Sequence, residues 1–415
     1  MIMTESEQPV ARRRWRLVGP GMVAAATGVG AGDLVATLVA GSAFGYALLW
    51  AAVVGCVVKI ALAEAVGRWH LASGSTLFAG WRSLGTWTTV YFAGYVLVWG
   101  FVYGATAMTS TALPLAALFP AIDLKIWAVA AGLAGLALVG LGRYRLLERL
   151  MTVLVAVMFV TVVGVAVLTV PNLGALVSGL APTVPEGAAL YTLGLIGGVG
   201  GSITLAAYGY WVNAKGWRDA SWMRVMRLDN RVAYVITGVF VVAMLIVGAE
   251  LLFASRIALA ESDVGLLDLE SVLEARYGAT VATLFLVGFF ATAFTSLLGV
   301  WHGVSLMFAD FVEHLRGRAG DNRIREGSPA FRAYLLWLTF PPMALLFLGK
   351  PFLLVIAYGA LGAVFMPFLA LTLLWLLNSE RTPAAHRNGI VSNVLLTAAG
   401  ALFVILCVRE LARLA

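Results

Sequence analysis

The sequence has few of the residues that soluble proteins place on their surfaces. Only 12% of its 415 residues are charged, against about 25% in a soluble domain, whereas 61% are hydrophobic. The two cysteines, Cys56 and Cys407, lie within apolar runs and have no disulfide or metal-motif spacing. This composition excludes a soluble enzyme, a disordered chain and a disulfide scaffold, and no pattern indicates a cofactor.

Long continuous apolar runs dominate the chain. A transmembrane helix needs roughly 20 apolar residues, and the runs are continuous, whereas the strands of an outer-membrane barrel alternate. We therefore predict an all-α polytopic membrane protein with 11 transmembrane helices. The predicted spans are 19–42, 46–67, 87–114, 126–142, 148–170, 188–212, 232–254, 279–311, 331–348, 351–378 and 389–408.

The basic residues predict how the chain is oriented in the bilayer. If the tail at 1–18 is cytoplasmic, 21 Lys and Arg residues fall on the cytoplasmic side and six on the outside, as the positive-inside rule requires. We therefore expect an inner-membrane protein with a cytoplasmic N-terminus and an external C-terminus. The net charge of +7 then reflects topology, so no nucleic-acid partner is expected.

Two of the predicted spans contain runs of glycine. The first span holds Gly30, Ala31, Gly32 and Asp33, and the sixth holds Gly200, Gly201, Ser202 and Thr204. Glycine weakens a helix by about 1 kcal/mol relative to alanine, and interrupted spans at matching positions of two halves indicate a transporter's binding site. Close packing of helices through small residues is the alternative explanation.

The spacing of the two runs predicts an internal repeat. Spans one and six are five apart, as expected for a 5+5 inverted repeat in which helices 1 and 6 are broken. We accordingly divide the chain into the tail at 1–18, a first repeat at 19–170, a second repeat at 171–378, and an eleventh helix with the C-terminus at 379–415.

The first fifty residues carry a family resemblance. The frame Gly19-Pro20, Ala40-Gly41, Phe44-Gly45-Tyr46 and Leu48-Leu49-Trp50 resembles the Nramp family of divalent-metal transporters. Similar stretches follow at Ala72-Ser73-Gly74, Arg145-Leu146-Leu147-Glu148, Ala189-Leu190 with Gly194-Leu195-Ile196-Gly197, and Met366-Pro367-Phe368. The resemblance implies a LeuT-like fold and proton-coupled metal import.

The metal ligands of that family are missing. Its signature Asp-Pro-Gly-Asn falls on Gly30-Ala31-Gly32-Asp33, so the carboxylate stands where the family has an amide. Its Met-Pro-His falls on Gly201-Ser202-Ile203, and the third span, between Val90 and Leu115, has no acid. We therefore expect a divalent cation, either a hydrated Mg²⁺-like ion or Mn²⁺, to be carried with weak or altered proton coupling. A small non-metal organic solute is the alternative.

Four ionisable residues within spans are candidates for function, because buried charges in membranes are costly. Asp33 is the tentative metal ligand or proton carrier. Lys59 could pair with Asp33 and act as a tethered cation in place of a coupling ion. Glu64 lies near the cytoplasmic end of its span, and His302 is either a proton relay or a hydrogen-bonded core residue. The predicted partners are a small substrate and the lipid bilayer; the sequence does not decide the oligomeric state.

Overall fold

The computed structural model describes residues 19–141, 144–198, 201–253, 265–317, 326–348 and 351–414. The predicted tail at 1–18 lies outside these ranges. Within them every regular element is helical, as the continuous apolar runs predict.

The helices of the first half follow the predicted spans closely. They are α1 (Pro20–Gly28), α2 (Ala31–Phe44), α3 (Leu49–Ser73), α4 (Leu77–Ser83), α5 (Thr86–Leu118), α6 (Leu124–Gly140), α7 (Tyr144–Leu168) and α8 (Leu173–Ser178).

The second half follows the same pattern. Its helices are α9 (Ala189–Gly198), α10 (Ile203–Ala214), α11 (Met223–Val247), α12 (Gly265–Tyr277), α13 (Ala279–Leu315), α14 (Pro329–Met343), α15 (Pro351–Asn378) and α16 (Ile390–Leu414). A π-helical turn, Gly248–Phe253, extends α11.

Length and apolar character make several of these helices suitable for crossing a bilayer. Six helical segments in the described ranges satisfy both conditions, and the shorter apolar helices Leu124–Gly140, Val364–Asn378 and Ile390–Ile405 accompany them. The chain is therefore a multi-pass helical membrane protein.

Both predicted interruptions are present. The first apolar run is divided where α1 ends at Gly28 and α2 begins at Ala31, and the sixth where α9 ends at Gly198 and α10 begins at Ile203. Helix α1 packs against α7, α10, α11 and α13. The interrupted backbone of the first run is therefore surrounded by protein, the setting in which broken helices persist in membranes.

The start of α11 differs from the sequence prediction. The sequence predicts this span at 232–254, but the helix begins at Met223. Arg224, Arg227 and Arg231 recur at helical spacing, so they can share one face of a helix whose opposite face is buried. Asp229, on the buried side, is fully inaccessible.

Candidate substrate site between two interrupted helices

The two interruptions meet in the interior of the protein. Gly201 has a φ of +83°, a left-handed conformation that favours glycine, and a Cβ atom at this position would lie 3.0 Å from the Cα of Gly28. The backbone at the start of α10 thus lies against the end of α1. The absence of a side chain at Gly201 allows this approach.

Hydroxyl groups from α13 cover the end of α1. The last carbonyl groups of a helix have no partner within it, and here Ser296 Oγ donates to Thr27 O at 2.8 Å while Thr295 Oγ1 lies 3.3 Å from Ala26 O. The hydroxyl of Tyr103, on α5, is 2.8 Å from Ser296 Oγ. Oxygen atoms from three helices therefore converge at this interruption.

The start of α10 adds two further hydroxyl groups. Ser202 precedes the helix, and its side chain makes no capping hydrogen bond. Thr204 is buried, and its Oγ1 has no hydrogen-bond partner among the described residues. Helix α15 is adjacent, since a Cβ atom on Gly362 would lie 3.5 Å from Ser202 Oγ.

Lys59 reaches the same place from α3. Its side chain is fully buried, and its Nζ donates a hydrogen bond of 2.6 Å to the carbonyl oxygen of Gly201. The Nζ also lies 5.4 Å from the centre of the Phe403 ring. The amino group of Lys59 is thus held at the second interruption.

Aromatic side chains lie beside the hydroxyl cluster. The rings of Trp99 and Tyr103 are stacked, with centroids 4.5 Å apart and planes 9° from parallel, and Tyr358 lies 5.1 Å from Tyr103. Trp99 is fully buried, and its indole N–H has no hydrogen-bond partner in the described structure. This side of the site therefore offers apolar surface as well as donors.

The structure brings together only part of the predicted site. Gly30 lies against α13, because a Cβ atom there would be 2.9 Å from Ser296 Oγ, and Gly201, Ser202, Thr204 and Lys59 surround the second interruption. Helix α2 begins with Ala31, Gly32 and Asp33. The surroundings of these three residues lie outside the described part of the structure, and so does Gly200. The proposed pairing of Lys59 with Asp33 therefore stays a prediction.

Glu64 lies apart from this cluster. Its carboxylate accepts hydrogen bonds from Arg68 Nε at 3.1 Å and from Arg227 Nε at 2.9 Å. Arg68 is buried and continues the contact to Asn388 and Ser392, at the start of α16. Glu64 thus joins α3 to α11 and, through Arg68, to α16.

His302 lies on α13, six residues beyond Ser296. Its Nδ1 accepts a hydrogen bond of 3.0 Å from Trp211 Nε1, and its Nε2 lies 3.2 Å from Glu326 Oε1. A second oxygen of Glu326 accepts the N–H of Tyr144. Burial alone would raise the pKa of Glu326, but the hydrogen bonds from His302 and Tyr144 outweigh it and lower the pKa.

Asp229 is a buried acid that the sequence does not mark as a site residue. Its carboxylate accepts the N–H groups of Gly19 at 2.9 Å and Gly21 at 2.6 Å, and the hydroxyl of Tyr208 lies 3.2 Å away. A carboxylate at the positive end of a helix is stabilising. Asp229 therefore fixes the start of α1 against α11.

Soft or nitrogen ligands are not assembled in the described part of the site. No group of three or more His, Cys, Asp and Glu side chains among the described residues could hold a metal ion. The groups that converge at the interruptions are carbonyl and hydroxyl oxygens, which suit Mg²⁺ and Mn²⁺ better than softer metals.

One known protein family matches nearly the whole chain. The family described as natural resistance-associated macrophage protein-like (Nramp) matches residues 21–413. The chain belongs to the Nramp family. Members of this family are membrane transporters. No curated protein matches this chain.

Solved structures share its fold at low sequence identity. A manganese transporter from Eremococcus coleocola, in complex with an aromatic bis-isothiourea compound, is 17% identical, with a TM-score of 0.82 over 97% of this chain and 88% of that one. MhsT in complex with L-phenylalanine is 15% identical, with a TM-score of 0.60 over 98% and 100% of the two chains. The LeuT-like character of the helical fold is confirmed by these neighbours.

Proposed function

We propose that this Nramp-family protein is a secondary transporter that carries a divalent cation between its two helix interruptions by alternating access. The observation that carries the proposal is the contact between the interruptions, where Gly201 lies against Gly28. Unwound backbone at this depth offers oxygen atoms to a cation. Family membership and the fold shared with a manganese transporter support the same substrate class.

The ligand chemistry favours an ion that keeps part of its water shell. Ser202 and Thr204 contribute hydroxyl groups, and we assign Asp33 as the charged ligand, since it is the carboxylate in the first turn of α2, next to the first interruption. Mg²⁺ is bound through few carboxylates and retains several waters. A hydrated Mg²⁺-like ion or Mn²⁺ fits this set, whereas the methionine and histidine of the family signature are replaced by Gly201 and Ile203.

Proton coupling is proposed to be weak or altered. Helix α5, residues 86–118, has no Asp, Glu, Lys, Arg or His, and ionisable groups within membranes are the usual proton carriers. A transporter of this kind moves its cation down the cation's own electrochemical gradient with little response to an imposed proton gradient.

The helices are proposed to form two inverted repeats, residues 19–170 and 171–378, followed by the segment 379–415. The packing pattern supports this division, because α3 packs on α11 and α5 on α13. In this division α5, α6 and α7 correspond to α13, α14 and α15. Accordingly, α7 packs on α13 and α15 packs on α5. Likewise, α5 packs on α6 and α13 packs on α14. Eleven spans then place the N-terminus in the cytoplasm and the C-terminus outside the inner membrane.

A second candidate is transport of a small organic solute. The specific observation in its favour is Lys59, because an ammonium group at Gly201 repels a nearby divalent cation and attracts an anionic group. The stacked rings of Trp99 and Tyr103 would pack against an apolar part of such a solute.

Flux measurements in proteoliposomes separate these candidates. Vesicles with an internal divalent-cation indicator should take up Mn²⁺ or Mg²⁺ with the wild-type protein, and Asp33→Asn should abolish uptake. Asp219→Asn is the matched control, because Asp219 is an exposed loop residue. Stoichiometric internal acidification during uptake would contradict the coupling proposal. A folded wild-type protein that moves neither ion would favour the organic solute.

A further inference from the structure

A fully buried lysine in the middle of a transmembrane helix requires a physical reason. Lys59 lies near the centre of α3, and its side chain has no solvent exposure. Long lysine side chains near helix ends can extend to the interface, but Lys59 points inward, towards Gly201 on the other side of the α3–α10 contact. Burial of a charge without compensation is strongly unfavourable, so the surroundings of Nζ must stabilise it.

The acceptor of this hydrogen bond is the backbone oxygen of Gly201. Gly201 precedes Ile203, the first residue of α10, and belongs to neither helix. A buried carbonyl group without a partner costs free energy, and the cost is larger inside a membrane. Lys59 Nζ supplies that partner at 2.6 Å.

An aromatic ring also favours a positive charge at this position. The face of Phe403, on α16, lies 5.4 Å from Nζ, within the range of a cation–π interaction. Backbone carbonyl oxygens at the end of a half-helix are also the ligands that bound cations use in transporters with broken helices.

We infer that Lys59 is a tethered cation: its ammonium group takes the place of a small bound cation at the α9–α10 interruption and holds that backbone in its interrupted conformation. Lys59 is a positioning residue in this role, since it acts on the backbone of Gly201. The inference does not depend on whether the transported substrate is a divalent cation, because it concerns a charge that belongs to the chain.

The inference predicts that removal of the ammonium group leaves a vacancy which a soluble cation can fill. Lys59→Ala deletes the atoms of an n-propylammonium ion, so this ion is the probe. Thermal unfolding of the purified full-length protein in detergent is the readout. Lys125→Ala is the matched control, because Lys125 is exposed and its Nζ also lies over an aromatic ring, that of Phe347, at 5.7 Å.

We expect Lys59→Ala to unfold several degrees below the wild-type protein and Lys125→Ala to unfold close to it. Added n-propylammonium should restore the melting temperature of Lys59→Ala in a saturable way, whereas n-propanol, of the same size but neutral, should not. Equal melting temperatures for the two variants, or equal restoration by n-propanol, would overturn the inference.

A second pair of variants applies if Lys59→Ala does not yield folded protein. Lys59→Arg keeps a positive charge and hydrogen-bond donors, whereas Lys59→Met keeps the length of the side chain without either. The inference requires Lys59→Arg to be the more stable of the two, and a wild-type melting temperature for Lys59→Met would contradict it. Unfolding is measured without substrate. The melting temperatures therefore test the role of Lys59 even if the protein proves not to transport divalent cations.

Discussion

Trp211 donates its indole N–H to Nδ1 of His302 across 3.0 Å, and this contact determines where the imidazole carries its proton. An indole can only donate, so Nδ1 must accept. The proton is then on Nε2, which donates to Glu326 Oε1 at 3.2 Å. In this arrangement the Trp211 hydrogen bond occupies Nδ1, and both ring nitrogens of His302 have a partner.

This tautomer can be observed directly. In protein labelled with ¹⁵N-histidine, we expect the ring proton of the His302 tautomer to lie on Nε2, with the signal assigned by its loss in His302→Gln. Trp211→Phe removes the donor to Nδ1 and should allow the other tautomer. A tautomer of wild-type His302 with its proton on Nδ1 would contradict the assignment.

Asp229 should be among the acids most important for stability. Asp229→Ala leaves the buried N–H groups of Gly19 and Gly21 without their partner, and loss of a buried charged acceptor costs about 2–3 kcal/mol. Asp123→Ala is the matched control, because Asp123 also caps a helix, α6, but at an exposed position. Thermal unfolding should show the larger loss for Asp229, and equal losses would argue against a special role for this carboxylate.

Gly299 should not tolerate a side chain. A Cβ atom at this position would overlap Oγ1 of Thr27, so Gly299→Ala forces α13 away from the end of α1. We expect a marked loss of thermal stability and of transport. Gly94→Ala is the control, since a Cβ atom there meets no atom within 4 Å and helix propensity favours alanine by up to about 1 kcal/mol. A Gly299→Ala protein as stable as Gly94→Ala would refute this account of the contact.

Glu326 should contribute to stability in a pH-dependent way. Burial opposes its ionisation, but the hydrogen bonds from His302 and Tyr144 prevail and lower its pKa. Because the pKa of Glu326 is lower in the folded protein than in the unfolded chain, its ionised form stabilises the fold. This stabilisation is fully present above the pKa of the unfolded chain, about 4.3. It is lost as the pH falls through the pKa of the folded protein.

The comparison of wild-type protein with Glu326→Gln measures this contribution. The difference in melting temperature should be constant above about pH 5, where the unfolded-state group is ionised, and should shrink below it. Glu186→Gln, at an exposed loop position, should show no such trend. A difference that grows on acidification would have the wrong sign for a lowered pKa.

Much of the fold could be predicted because membrane helices are long, continuous and apolar. The predicted span 279–311 lies within α13, and the glycine runs correctly indicated the interruptions before Ala31 and Ile203. Helix ends were less predictable where charged residues continue from a loop into the first turns of a helix. Three arginines between 224 and 231 indicated a loop, but they occupy one face of α11 while Asp229 is buried on another.

The site was only partly predictable, because its contacts join helices that are distant in sequence. Ser296 and Thr27 are separated by 269 positions, as are Thr295 and Ala26. Hydroxyl residues grouped in an otherwise apolar span were a signal that could have indicated α13. The partner of Lys59 could not be found in the same way, since a backbone oxygen leaves no mark in the sequence.

The most direct test of the central claim is calorimetric titration of the purified protein with Mg²⁺ and Mn²⁺, with Asp33→Ala as the comparison. We predict millimolar or tighter binding of at least one ion, lost in Asp33→Ala while the protein remains folded. A folded wild-type protein that binds neither ion would contradict a divalent-cation site between the interruptions.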